Sequence, residues 1–130
     1  SGIELVPCMN DTLAGNFLLN ADDRVMLVDF EYASNNERTF EIANWFCEMA
    51  FPRRIEQEAI EEYFGRWDHR IDARIKVCRA LSDLKWATWA MIQEAMSTLN
   101  FDYYKYGTWK YMRARTQFHH PDWSLWIGQV

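Results

Sequence analysis

Two short apolar runs, Phe17-Leu18-Leu19 and Val25-Met26-Leu27-Val28, flank the polar stretch Asn20-Ala21-Asp22-Asp23. Asn and Asp tolerate turn geometry and bond their own backbone, so the pattern predicts a β-hairpin. Ile3 to Val6 predicts a short strand before Pro7. From Glu37 or Arg38 the period changes: Phe40, Ala43, Trp45-Phe46 and Met49-Ala50 recur at helical intervals until Pro52. Asn36 or Thr39 is the expected N-cap of this helix, with Glu41 early in it. A second helix is expected over Ile55 to Trp67, with Asp68-His69-Arg70 as a break. A long third helix runs from about Asp72 to Leu99, its apolar positions including Ile75, Val77-Cys78, Leu81, Leu84 and Trp86. A fourth spans Phe101 to about Thr116, loosened by Gly107, and Phe118 to Val130 is aromatic without a clear period. The pattern therefore predicts an α+β domain, mostly α: a β-hairpin plus about four helices.

With 130 residues the chain suits one domain, residues 1–130, and 49% apolar residues supply ample core material. No run approaches the roughly 18 uncharged apolar residues of a membrane helix, so no membrane insertion is expected. No signal-peptide pattern opens the sequence, and Ser1-Gly2 is compatible with a tag-removal scar or a native start. Fourteen Lys and Arg against nineteen Asp and Glu give a net charge of -5 without a basic stretch, which argues against nucleic acid as a partner. Three unpatterned cysteines, Cys8, Cys47 and Cys78, argue against disulfides and structural zinc and fit a reducing cytoplasm.

Candidate chemistry gathers around the hairpin. Asp11 and Asn16 precede it and Asp29 closes its far strand, so folding should bring all three to one end. Three oxygen-bearing side chains suit a hard cation such as Mg2+, with one carboxylate free to orient a substrate hydroxyl. A single loop Asp is more often a turn residue; the spacing of three sets this group apart. Trp86, Trp89 and Gln93 share one helix face, as do Tyr103 and Tyr106. Such stripes usually pack as ordinary core; the competing reading is a cage for a quaternary ammonium, which only ring faces and a carboxylate can hold. His119-His120 with Asp122 reads as a solvated tail, His69 has no visible partner, and Cys8 reads as packing rather than nucleophile. Trp123 and Trp126 cover either core or a partner surface.

Met9-Asn10-Asp11, Gly15-Asn16 and Asp29-Phe30-Glu31-Tyr32 resemble the catalytic loop and metal motif of the choline/ethanolamine kinase family, relatives of aminoglycoside phosphotransferases with a protein-kinase-like fold. The likeness continues through Arg38 to Glu48, Trp86 to Gln93 and Phe101 to Tyr106, covering most of residues 7–110. It implies the C-terminal lobe of that fold, ATP as co-substrate, and choline or ethanolamine as the phosphorylated alcohol, chemistry that belongs to phospholipid biosynthesis. Carried over by position, it makes Asp11 the base and Asn16 and Asp29 the Mg2+ ligands. Tyr32, Glu48, Trp86, Trp89, Tyr103 and Tyr106 match the choline pocket, with Gln93 on the same face. Asn10, Glu31 and Arg38 are expected just outside these.

Two departures stand out. Met9 replaces the family's loop-bracing His, and a thioether donates no hydrogen bond, so a looser loop and lower activity are expected. No Gly-x-Gly-x-x-Gly and no strand-borne lysine precede Asp11, so the nucleotide lobe is expected to be absent from this chain. The rival expectation is a truncated or degenerate lobe that binds choline-like cations or acts as a scaffold. An apolar face exposed where the other lobe would dock, or a homodimer through it, follows from either reading.

Overall fold

The computed structural model describes residues 3–130; Ser1-Gly2 lies outside them. Strand β1 (Leu5–Cys8) leads through a loop and a 3-10 turn (Ala14–Asn16) into the hairpin β2 (Phe17–Leu19) and β3 (Val25–Leu27). Strand β4 (Ser34–Glu37) returns to pair antiparallel with β1, from Leu5 opposite Glu37 to Cys8 opposite Ser34. Five helices follow: α1 (Arg38–Met49), α2 (Arg53–Phe64), α3 (His69–Met96), α4 (Tyr103–Phe118) and α5 (Trp123–Gln129). The expected class holds, mostly helical with a small β part.

Several boundaries differ from the expectation, each for a local reason. β1 runs through Pro7, which an edge strand tolerates because its missing N–H faces no ladder partner. β4 has the composition of a loop, Ser-Asn-Asn-Glu, and pairs because β1 lies beside it. The cap of α1 is Glu37, not Asn36 or Thr39: its carboxylate accepts from Phe40 N. Asp68 is likewise a cap rather than part of a break, accepting from Ile71 N at 2.9 Å, so α3 begins at His69. Asp102 caps α4 the same way through Lys105 N.

The C-terminal stretch is not a solvated tail. α5 lays Trp126 against Ala73 and Val77 of α3, with Trp123 beside it, and His120 stacks on Trp126 at 4.4 Å. His120 and Asp122 are bonded to each other, and no cluster of three or more His, Cys, Asp or Glu side chains suited to a metal exists among the described residues.

The main core sits between α1, α2 and α3, built from Ile42, Ala43, Phe46, Ile60, Ile75 and Cys78. At 28 residues α3 is about 42 Å long at 1.5 Å per residue. It packs against α1 on one side, α4 on another and α5 near its start. By contrast Leu18, Leu19, Val25, Met26 and Leu27 of the β2–β3 hairpin are all exposed. A bare two-stranded hairpin is marginal in water, so this apolar face suits a covering element. No helix of the described residues is long and apolar enough to cross a membrane.

Gly107 does not loosen α4. It is buried at the α3–α4 contact, where a Cβ would stand 2.8 Å from the Ala90 Cβ and 3.4 Å from the Ala87 carbonyl oxygen. Gly107→Ala gains about 1 kcal/mol of helix propensity and loses about 1–3 kcal/mol to overpacking against a methyl that cannot swing away. Thermal denaturation should show a lower Tm for Gly107→Ala, with part of the loss recovered in the Gly107→Ala/Ala90→Gly pair.

Candidate active site

Asn10 leads the loop after β1 with φ of 62°, a left-handed conformation that Asn tolerates better than most residues. Its side chain locks that geometry: Nδ2 donates to the Tyr32 carbonyl and the Ser34 hydroxyl, each at 2.9 Å, and Oδ1 accepts from Asn36 Nδ2 at 2.7 Å. The Glu41 carboxylate accepts from the backbone N–H of Met9 at 2.8 Å and of Asn10 at 3.0 Å. Lys85 Nζ donates to the Asn10 carbonyl at 3.1 Å. The loop is therefore fixed from α1, β4 and α3 at once. Met9, buried at 6% exposure, contributes packing.

The next residue is Asp11. Asn16 Nδ2 donates to its backbone carbonyl at 3.1 Å and lies 3.4 Å from its Oδ2, leaving Asn16 Oδ1 uncommitted to either bond. Val28 N donates to Asn16 O at 3.1 Å, extending the hairpin ladder by one step. That step places Asp29, itself left-handed at φ of 68°, beside Asn16. Asp11 and Asn16 are therefore bonded to each other, and Asp29 follows the residue that pairs with Asn16. Burial pushes the Asp11 carboxyl above the usual carboxylate range; the Asn16 bond opposes this, the Glu48 charge reinforces it, Lys85 opposes it and Asp29 adds to it.

The rings also converge. Tyr32 meets Trp86 edge-on at 5.6 Å, Trp86 meets Trp89 at 5.6 Å, and Trp89 meets Tyr103 at 5.7 Å and Tyr106 at 6.1 Å. Trp89 Nε1 donates to the Tyr32 hydroxyl at 3.0 Å. Burial, then the charges of Glu48 and Asp11, push the Tyr106 phenol far up. Phe101, absent from the expected set, packs on Tyr103 at 4.8 Å and Tyr106 at 5.9 Å. Its sequence signal was its place at the head of the Phe101 to Tyr106 stretch that carries the family likeness.

Other expected residues fall differently. Gln93 is half-buried one turn beyond Trp89 and makes no side-chain hydrogen bond among the described residues. Glu31 is exposed. Arg38 pairs with Glu4 at 3.2 Å and lies over the Phe64 ring, so it is not drawn into the site. Glu48 is near the rings but already holds a cation, the buried ammonium of Lys110, which also lies 3.9 Å from Asp83 and 5.3 Å from the Tyr106 ring centre. Arg113 clasps Asp83 with two nitrogens and donates to the Cys47 carbonyl at 3.0 Å. Two anions and two cations make a network joining α1, α3 and α4, buried except at the partly exposed Arg113.

Sequence reasoning also missed a neutral hub. Asn44, fully buried, donates to the Thr12 hydroxyl at 2.8 Å and accepts from Ser82 at 2.7 Å and Trp86 Nε1 at 2.9 Å. Its signal was a lone polar residue within the apolar stretch Ile42-Ala43-Asn44-Trp45-Phe46. The three thiols take no part: all are buried with raised pKa, Cys47 to about 11 and Cys78 to about 12.

A nested hairpin beside an acid-bearing loop, set on a helical lobe, is the architecture of protein-kinase-like folds. A choline/ethanolamine kinase family protein from Mesorhizobium loti has the same fold, with a TM-score of 0.88 and 25% identity over 99% of this chain and 44% of that one. A Plasmodium vivax ethanolamine kinase gives 0.74 and 25%, over 98% and 36%. The choline/ethanolamine kinase family model matches residues 2–64. Among curated relatives, a probable ethanolamine kinase of Arabidopsis thaliana is 33% identical over 83% of this chain and 34% of its own length. A choline/ethanolamine kinase of Rattus norvegicus is 31% identical over 88% and 37%. The chain belongs to the choline/ethanolamine kinase family, and it spans about a third of the length of the curated relatives it matches.

Removing one member of a buried charge network strands its partners. Lys110→Met leaves Glu48 unpaired and Asp83 with Arg113 alone, which should cost about 3 kcal/mol in urea denaturation. Adding Glu48→Gln should recover part of that loss.

Proposed function

We propose that this chain is the C-terminal, catalytic and alcohol-binding lobe of an ATP-dependent kinase whose substrate is a small amino alcohol, choline or ethanolamine. The observation that supports it is the loop of Asn10 and Asp11, bonded to Asn16 on one side and linked through Lys85 to the Trp86 ring on the other. The relatives reported above carry the names of kinases for these alcohols, and nothing favours a non-catalytic scaffold over them. The nucleotide-binding lobe, on this reading, covers the bare apolar hairpin.

The donor set fits magnesium. Asn16 offers an amide oxygen not used by its own hydrogen bonds, and Asp29 an exposed carboxylate at the hairpin's end, both hard ligands. A cation held there by Asn16 and Asp29 would neutralise charge on the transferring phosphoryl group. The chain's own residues do the remaining work. Ring faces of Trp89 and Tyr106 receive the cationic head, and the rigid loop points Asp11 at the hydroxyl. The hydroxyl oxygen forms the new bond to the γ-phosphorus of ATP, its proton passes to the Asp11 carboxylate, and ADP leaves with the electrons of the broken P–O bond. Burial serves this step, because a carboxylate with a raised pKa is a stronger base than one in water.

Asp11→Asn should lower kcat by about 10²–10⁴-fold in a coupled ATP assay with the nucleotide lobe present. The raised carboxyl pKa sets two signs. A general base must be ionised, so kcat/KM should fall on acidification at a higher pH than the ordinary Asp value of about 3.9. A carboxyl whose pKa is raised by folding penalises the fold once pH exceeds its unfolded value. Asp11→Asn should therefore be at least as stable as the parent at neutral pH, with the difference vanishing below about pH 4.

A further inference from the structure

Lys85 is a charged side chain of α3 that sits among the rings of the site without belonging to the Glu48–Lys110–Asp83–Arg113 network. Its ammonium lies 4.3 Å from the centre of the Trp86 ring, 5.7 Å from Tyr32 and 5.8 Å from Phe40, while donating to the Asn10 carbonyl. All three distances are within the range of a cation–π contact. Trp86 is only 5% exposed with Lys85 in this place, and its Nε1 is spent on Asn44. A cavity of about 280 Å³, lined by Asn10, Tyr32, Ser34, Asn36, Phe40 and Lys85, opens against the same group. The chain thus brings its own cation to the seat that a cationic ligand would take against Trp86.

We propose that Lys85 is a specificity-determining residue: its ammonium occupies the Trp86 face and biases the site toward amino alcohols with N–H groups over quaternary ones. The proposal rests on the amino-alcohol reading of the ring cluster. A quaternary ammonium donates no hydrogen bond, so its affinity depends on open ring faces, and one face here is already taken by a like charge. A primary ammonium is smaller and can donate to oxygen acceptors such as the Tyr32 hydroxyl, which stands 3.0 Å from Trp89 Nε1 within the ring cluster. It needs fewer ring faces and can stand farther from Lys85, where repulsion falls with distance. Partial burial of Lys85 disfavours its charged form while the charges of Asp11 and Glu41 favour it, in keeping with an ammonium held between rings and carboxylates.

The test is calorimetric titration of the protein and its Lys85→Met, Lys85→Gln and Lys85→Arg variants with choline and with ethanolamine. Lys85→Gln keeps a donor for the Asn10 carbonyl without the charge, so it reports on the site if Lys85→Met fails to fold. The expected result is a Kd for choline about tenfold lower in the two neutral variants, against a change under about threefold for ethanolamine. Lys85→Arg, which restores a cation over the ring, should return the parent's choline-to-ethanolamine ratio. A merely structural lysine would weaken both ligands together and leave that ratio alone, and this outcome overturns the proposal. If neither cation binds the parent or any variant at millimolar concentration, the amino-alcohol reading falls and takes this proposal with it. Binding of both with an unchanged ratio overturns the role of Lys85 alone.

Discussion

A single carboxylate spanning two successive backbone N–H groups sets the geometry of the site. Glu41, in the first turn of α1, holds Met9 and Asn10, and that grip fixes the direction in which Asp11 leaves the backbone. The held segment is in a left-handed conformation, which costs roughly 1–2 kcal/mol for an L-residue. Charge-assisted bonds from Glu41, with the Asn10 side chain bonded to Tyr32, Ser34 and Asn36, offset that cost. Asp29 repeats the pattern on the other side of the hairpin at φ of 68°. Left-handed backbone at Asn10 and Asp29 is what a structure keeps when the surrounding contacts over-determine it.

The loop would still be of little use if the rings could drift. Their positions are set by polar groups in the interior rather than by apolar packing alone. Asn44 ties the loop residue Thr12 to Ser82 and Trp86 on α3, so the first ring of the cluster is bonded to the same scaffold as the acid. The Glu48, Lys110, Asp83 and Arg113 network does the same between α1, α3 and α4, which positions Tyr106. Buried ion pairs add little net stability, but they penalise every arrangement in which a charge is left alone. Gly107 lets α4 approach α3 closely enough for those bonds to form.

Much of this was written into the order of residues. The hairpin was legible because two apolar runs flank a turn of Asn and Asp, and the acidic trio followed from where its ends must meet. The long helices were legible from their periods. What escaped was structure created by distant partners. Ser34 to Glu37 has no strand character of its own and becomes β4 because β1 lies alongside. Asp68 looked like part of a break and Asp102 like a residue inside the fourth helix, since a cap is recognised by the N–H it accepts from rather than by its identity. α5 depends on one large side chain, Trp126, finding α3, and no periodic stripe announces it over seven residues. The pairing of Glu48 with Lys110 joins residues 62 apart, and nothing near either shows it.

The central claim is that the acidic loop and the ring cluster form one preorganised site. Two-dimensional ¹H–¹⁵N NMR of the protein titrated with ethanolamine reads both halves in one experiment. The indole N–H signals of Trp86 and Trp89 and the backbone amides of Asp11 to Asn16 should move together along one binding curve, while the indoles of Trp123 and Trp126 stay in place. Movement of the ring signals with the loop amides unchanged, or of the tail indoles instead, would contradict it.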